Sequence, residues 1–258
     1  MTFPYVSVED AIARDGLRMV VVGGVPSPWG EAAKGILHIK RIDWVAVRLA
    51  YDSEPLKQWA GQRSGPIALY DKEAPRARWN EILLLAERLA PAPAPPLLPD
   101  DPASRALVLG LSEEICGEGG LGWSRRLHLI HAGLQDAGGF PGRVASYLAR
   151  KYGYSPEAGA ASGARVAELL DKLASCLKAQ QAAGSLYYVG SSLTAVDVYA
   201  AAFMAMFGPL PHEQCPMEAS MRAAFHTLDA QTAAALDPIL FEHRDRMYSE
   251  HLELPLAL

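Results

Sequence analysis

One hydroxyl in this chain stands where chemistry is easily started. Ser27 lies in Gly23-Gly24-Val25-Pro26-Ser27-Pro28-Trp29-Gly30, behind the apolar run Met19–Val22 and ahead of Ala32, Ala33, Ile36 and Leu37 at helical spacing. The run reads as a buried strand, Ser27 as a helix N-cap and Pro28 as the first helical residue. A strand feeding a capped helix leaves unpaired backbone N–H groups and the positive end of a helix dipole beside the hydroxyl, a place that suits an anion.

Other candidates are weaker. Gly117-Glu118-Gly119-Gly120-Leu121-Gly122 satisfies G-x-G-x-x-G, but it follows a helical pattern rather than a strand, so it reads as a helix-ending loop and not a dinucleotide site. His128 and His131 lie three apart on a predicted helix, with no acid nearby to complete a metal site, and no metal is expected. Cys116, Cys176 and Cys215 are far apart, which indicates neither a disulfide framework nor a dithiol redox pair and favours a reducing, cytoplasmic setting. A net charge of −5 without clustered Lys and Arg argues against nucleic acid. The N-terminal stretch carries acids and no apolar h-region, and Ala195–Phe207 is too short to span a bilayer, so no membrane association is expected.

The elements that must position Ser27 follow from pattern. Residues 1–16 read as a short addition whose Ser7 and Asp10 could cap a brief helix. Asp43–Ala50 alternates as a second strand, returning parallel to the first by a βαβ crossover. Pro66 heads a third strand, Ile67–Tyr70, and Arg76–Ala90 is an amphipathic helix with Trp79, Ile82, Leu83, Ala86 and Leu89 on one stripe. Five prolines crowd residues 91–99, where no regular element can continue, and residues 91–101 are therefore a linker. Beyond it the pattern is helical throughout, including a capping box at Thr194 and Asp197 that reads as structural. The predicted architecture is α/β plus all-α: an extension (1–16), a mixed sheet with helices (17–90), the linker (91–101) and a helical bundle (102–258).

The strand, the Ser27-Pro28-Trp29 turn and its helix resemble the start of a glutathione transferase of the type whose activating residue is serine or cysteine in an S/C-P-[FW] turn. Pro66 matches the position of the family's cis-proline, and the proline-rich linker and the Thr194–Asp197 cap also agree with it. The resemblance implies a thioredoxin-like N-terminal domain and a helical C-terminal domain. It implies glutathione as co-substrate, with Ser27 as a hydrogen-bond donor to its sulfur and Trp29 beside it. Gly65, Pro66 and Ile67 would offer main-chain contacts to its cysteine. It further implies conjugation to an apolar electrophile received between the domains, where Trp123, Arg125 and Arg126 either border the cleft or form a partly exposed helix face, and a homodimer.

One departure stands out. Where most of the family begin the third helix with an acid followed by serine, this chain carries Arg78 and Trp79. An arginine pairs with a carboxylate in a fork but cannot hold an ammonium group. Both residues also have ordinary readings, Trp79 as the start of the core stripe and Arg78 as a solvated charge. The competing account is a chain of this fold that binds a different small ligand or a protein partner without thiol chemistry, Ser27 being only a cap.

Overall fold

The structure is a computed structural model and describes residues 4–258. Its sheet has four strands in the order β1-β3-β2-β4: β1 (Tyr5–Val6), β2 (Leu17–Val21), β3 (Trp44–Arg48) and β4 (Ile67–Tyr70). β1 and β2 each run parallel to β3, and β4 is antiparallel to β2, with Val20 in register with Ile67. The crossover from β2 to β3 is α2 (Pro28–Ile39), and α3 (Glu54–Ala60) and α4 (Trp79–Leu89) flank β4. The segment before the first predicted strand thus adds a strand to the sheet edge and a short helix, α1 (Val8–Ile12), whose Asp10 N–H donates to Ser7 Oγ at 3.0 Å.

Every residue of β2 is buried, as a central strand covered on both faces requires. Leu17, Met19 and Val21 face a large apolar cluster, whereas Val20 faces a smaller one with Ala11, Leu56 and Ala60. Arg18 is tolerated among them because its guanidinium donates to the carbonyls of Gly16 and Asp71. The predicted helix over 76–90 begins three residues late because Arg76 pairs instead with Ala68, donating and accepting one backbone hydrogen bond.

The proline-rich stretch is not a loose tether. Lys40, fully buried at the end of α2, donates to Glu87 at 2.5 Å and to the Pro95 carbonyl at 2.8 Å. Glu87 in turn accepts from the Leu97 N–H, and Leu97 and Leu98 are buried. The helices that follow are α5 (Pro102–Cys116), α6 (Leu121–Leu134), α7 (Gly142–Lys151), α8 (Pro156–Ala182), α9 (Ala195–Phe203), α10 (Ala219–Phe225), α11 (Ala230–Ala235) and α12 (Pro238–Glu250). The larger apolar cluster runs unbroken from β2, α2 and α4 into α5, α6, α8 and α9. No helix among the described residues is long and apolar enough to cross a membrane.

α9 is anchored as its sequence predicts. Asp197 Oδ2 accepts from the N–H and the hydroxyl of Thr194, both at 2.8 Å. Its other oxygen accepts from the Tyr188 N–H at 2.9 Å and lies 3.0 Å from His243 Nε2, with Asp197 wholly buried.

Candidate functional site

A cavity of about 870 Å³ opens between the sheet end and the helices, and Ser27 lines it. Ser27 is the N-cap of α2 and Pro28 its first residue; the Ser27 carbonyl accepts the first helical bond, from the Glu31 N–H at 2.8 Å. Its hydroxyl, however, makes no capping bond. A serine cap normally spends its oxygen on the N–H two or three residues on, so here the donor is left for the cavity. No base among the described residues is bonded to it, so no activated serine nucleophile is built here.

Gly65, Pro66, Arg78 and Trp79 share this cavity with Ser27 and Trp29. The Gly65–Pro66 peptide is cis. Ile67 does not line the cavity: its side chain is fully buried beneath the sheet and its backbone lies in the β2–β4 ladder. Trp29 spends its indole N–H on the Cys116 carbonyl at 2.9 Å and meets Phe203 edge-on at 4.8 Å, so it clamps α2 against α5 and α9. Arg78 is the N-cap of α4, and its backbone N–H donates to Glu81 at 3.1 Å. The Trp79 indole donates to Glu113 Oε2 at 2.8 Å and its ring meets Tyr199 edge-on at 5.5 Å.

Glu113 is the cavity residue that sequence reasoning missed at this end. It comes from α5, far from α4 in the chain, and places a carboxylate beside the Trp79 ring where the start of α4 has no acid at its first two positions. One signal was present: Gly117 lies four residues on, and a Cβ there would approach Glu113 Oε1 to 2.2 Å. Gly122 likewise admits Phe203, which a Cβ would meet at 2.2 Å. Gly117 and Gly122 of the G-x-G-x-x-G run therefore serve close packing around a helix-to-helix loop, and Gly119 supplies its left-handed turn at φ +74°. Cys116 lines the cavity too, but burial first and the Glu113 charge second push its thiol well up, so it stays protonated and inert.

The far end is formed by α6, α7 and the loop after β3. Tyr51 and Tyr147 meet edge-on at 5.4 Å, Trp123 and Tyr152 at 4.8 Å, and Arg126, Arg143 and Lys151 line the same space. Sequence reading gave a helical pattern throughout this region without singling out α7, although Arg143, Tyr147 and Lys151 recur every four residues, which puts them on one helical face. Neither Arg125 nor Arg126 is exposed, which corrects the alternative of a partly exposed helix face; Trp123 and Arg126 line the cavity, whereas Arg125 does not. His128 lies 3.0 Å from Asp229 and His131 3.0 Å from the Tyr154 hydroxyl, so each has a structural partner.

No protein-family model and no curated protein match this chain. Solved structures do. A glutathione S-transferase from Methylobacillus flagellatus with glutathione bound is similar at a TM-score of 0.62 and 13% identity, over 90% of this chain and 94% of that one. A rice glutathione S-transferase in complex with glutathione gives 0.58 and 18%, over 94% of both chains. One from Xanthobacter autotrophicus gives 0.57 and 19%, over 93% of this chain and 96% of that one. A thioredoxin-like sheet with its helices, followed by a helical bundle over nearly the same span, is what they share with this chain: it has the glutathione S-transferase fold.

Proposed function

We propose that the protein is a glutathione transferase that joins the sulfur of glutathione to an electrophilic carbon of an apolar co-substrate. The observation that carries this reading is the Ser27 hydroxyl, which caps α2 without using its oxygen on the helix and faces the cavity beside Pro66. The donor set suits the tripeptide: a hydroxyl and helix N-terminus for the sulfur, Gly65 beside Pro66 for main-chain pairing, Arg78 for a carboxylate and Glu113 for the ammonium that Arg78 cannot hold. Two of the similar solved structures hold glutathione, which supports the same ligand.

The energetics are adequate. A free thiol with a pKa of about 8.5 is only about 3% thiolate at neutral pH, and lowering it by two units takes about 2.7 kcal/mol. A helix dipole contributes about 0.3–1 kcal/mol and a hydrogen bond to a charged acceptor about 1.5–3, so Ser27 and the first turn of α2 jointly reach that figure. The thiol proton leaves to solvent. The sulfur lone pair then forms the C–S bond while the electrophile's leaving group, or its π-electron pair, takes the displaced electrons. In this scheme Ser27 is a donor throughout. The boundary at residues 91–101 and assembly as a homodimer belong to the same proposal; light scattering that returns the mass of one chain would refute the dimer.

A second reading, a binding protein of this fold without thiol chemistry, draws support from Arg78 and from Trp79, whose indole N–H is already spent on Glu113. The two readings part at Ser27→Ala. Under the conjugation reading the variant slows turnover about ten- to a hundredfold at neutral pH, with partial recovery at higher pH. A folded Ser27→Ala protein with unchanged rate and pH dependence, or a wild-type chain that immobilised glutathione fails to retain, would overturn it.

A further inference from the structure

Two adjacent arginines on α6 have opposite fates. Arg125 is wholly buried and fully employed: it donates to the carbonyls of Met206, Phe225 and Thr227 and touches His128 Nδ1 at 3.3 Å. Arg126 is 8% exposed and has nothing comparable. Its Nε is buried without a hydrogen-bond partner, and its guanidinium makes no hydrogen bond or ion pair among the described residues. Phe140 and Phe225 lie beside it, their ring centres 5.3 and 5.6 Å from the guanidinium carbon and 6.2 Å from each other. It also lines the cavity.

An unpaired buried charge is expensive, and a fold ordinarily satisfies it. Ring faces supply part of the compensation but no acceptor for the N–H groups. The charged groups acting on Arg126 include no carboxylate; only the Tyr152 and Tyr51 hydroxyls favour its charged form against the burial that opposes it. A second cation lies close by rather than a counter-ion: the Lys151 ammonium is pushed below its usual range by burial and then by the Arg126 charge. The cavity's carboxylates, Glu113 and Glu118, belong to the last turn of α5 and the α5–α6 loop respectively. The end of the cavity formed by α6 and α7 is therefore a positively charged pocket with aromatic walls and an unspent planar donor.

We propose that this end receives the anionic group of a small organic acid, a carboxylate or sulfonate held by Arg126, with the acid's flat apolar body against Tyr51, Trp123, Tyr147 and Tyr152. As the identity of the second substrate this rests on the conjugation reading; as a binding site it stands without it. Arg126 accepts the anion in a fork, and Lys151 and Arg143 raise the local positive potential.

The test compares 4-phenylbutyrate with 4-phenylbutan-1-ol by calorimetric titration of the full chain, with no glutathione present. The acid is expected to bind at least tenfold more tightly. Arg126→Met, shown to be folded by its melt, should lose that preference, and Lys151→Met should reduce it several-fold. Equal affinity for acid and alcohol, or no binding of the acid at millimolar concentration, overturns the proposal. So does an acid preference that survives Arg126→Met. If Arg126→Met does not fold, Arg126→Lys replaces it, since it keeps the charge but loses the fork; an unchanged preference there overturns the assignment equally. Retention on immobilised glutathione is measured separately. A chain that prefers the acid but ignores glutathione overturns conjugation alone, and the reverse result overturns only this site.

Discussion

The two ends of the cavity each hold a donor that the fold leaves unspent, yet they are built in different ways. At the Ser27 end the arrangement is local: a buried strand, two glycines, a cap and a proline at the first helical position lie within fourteen consecutive residues of the chain, Leu17–Gly30. At the Arg126 end nothing is local. Its walls come from the loop after β3, from α6 and from α7, and the vacant guanidinium differs from its employed neighbour only in which carbonyls the rest of the chain brings near. A site that depends on helix-start rules can be read from a short window. One that depends on which of two arginines finds partners cannot.

The largest effect expected strikes the Ser27 end, because α9 lies behind it. Phe203 meets Trp29 and Tyr199 meets Trp79, with the Tyr199 hydroxyl donating to the Trp79 carbonyl at 3.2 Å. Asp197→Ala removes the acceptor for Thr194, Tyr188 and His243 in a wholly buried setting. The expected loss is about 3–5 kcal/mol in urea unfolding, since a buried charged acceptor leaves several partners unsatisfied. A loss below about 1 kcal/mol would mean that α9 is held by packing alone and that the Ser27 end does not depend on the Asp197 bonds.

How much of this was legible follows the same division. The β2–α2 unit, the strand headed by Pro66 and the Thr194–Asp197 cap were all readable because glycine, proline and capping residues act within a few positions of themselves. Ser27, Gly65 and Pro66, which line the cavity, lie in these stretches. α7 was not singled out because Gly142, Ala145, Ser146 and Ala149 dilute its apolar stripe, and only Ala145 on it is buried. The Trp29 indole is spent on the Cys116 carbonyl, eighty-seven residues away in sequence, and Glu113 reaches Trp79 from thirty-four residues away. Those pairings depend on how α5 docks, which no local pattern reports.

A smaller effect sharpens the account of the Ser27 end. Trp29→Phe keeps the edge-on contact with Phe203 and deletes the hydrogen bond to Cys116, leaving a part-buried carbonyl without its donor. The expected cost is about 1 kcal/mol of stability. Retention on immobilised glutathione should change little, because the indole N–H already has a partner within the protein. Loss of retention in a variant that melts like its parent would show that the Trp29 ring contacts the ligand directly, and the Ser27 end would then be less self-contained than its sequence suggests.

The smallest effect concerns the pair of arginines through His128, the side chain that Arg125 has and Arg126 lacks. Arg125 is always a donor, so His128 Nδ1, 3.3 Å from Arg125 Nη1, must accept, and the ring proton belongs on Nε2, 3.0 Å from Asp229. A second proton would set two donors face to face. Burial first and the Arg125 charge second accordingly push His128 below its usual range, against the opposing pull of Asp229. The sign follows directly: in the unfolded chain a histidine takes up its proton near pH 6.5, whereas the folded chain resists it to lower pH. The stability that neutral His128 carries is therefore fully present above about pH 6.5 and is lost as the pH falls from there toward its folded value, below which the loss levels off. His128→Gln keeps a donor for Asp229 and an acceptor for Arg125 but cannot titrate. Its unfolding free energy should fall less steeply than the parent's between about pH 6.5 and 5, measured by urea titration at each pH. Parallel slopes would mean that His128 accepts its proton without penalty and that the Arg125 cluster is looser than its hydrogen bonds imply. The contrast between an employed and an unemployed arginine would then rest on Met206, Phe225 and Thr227 alone.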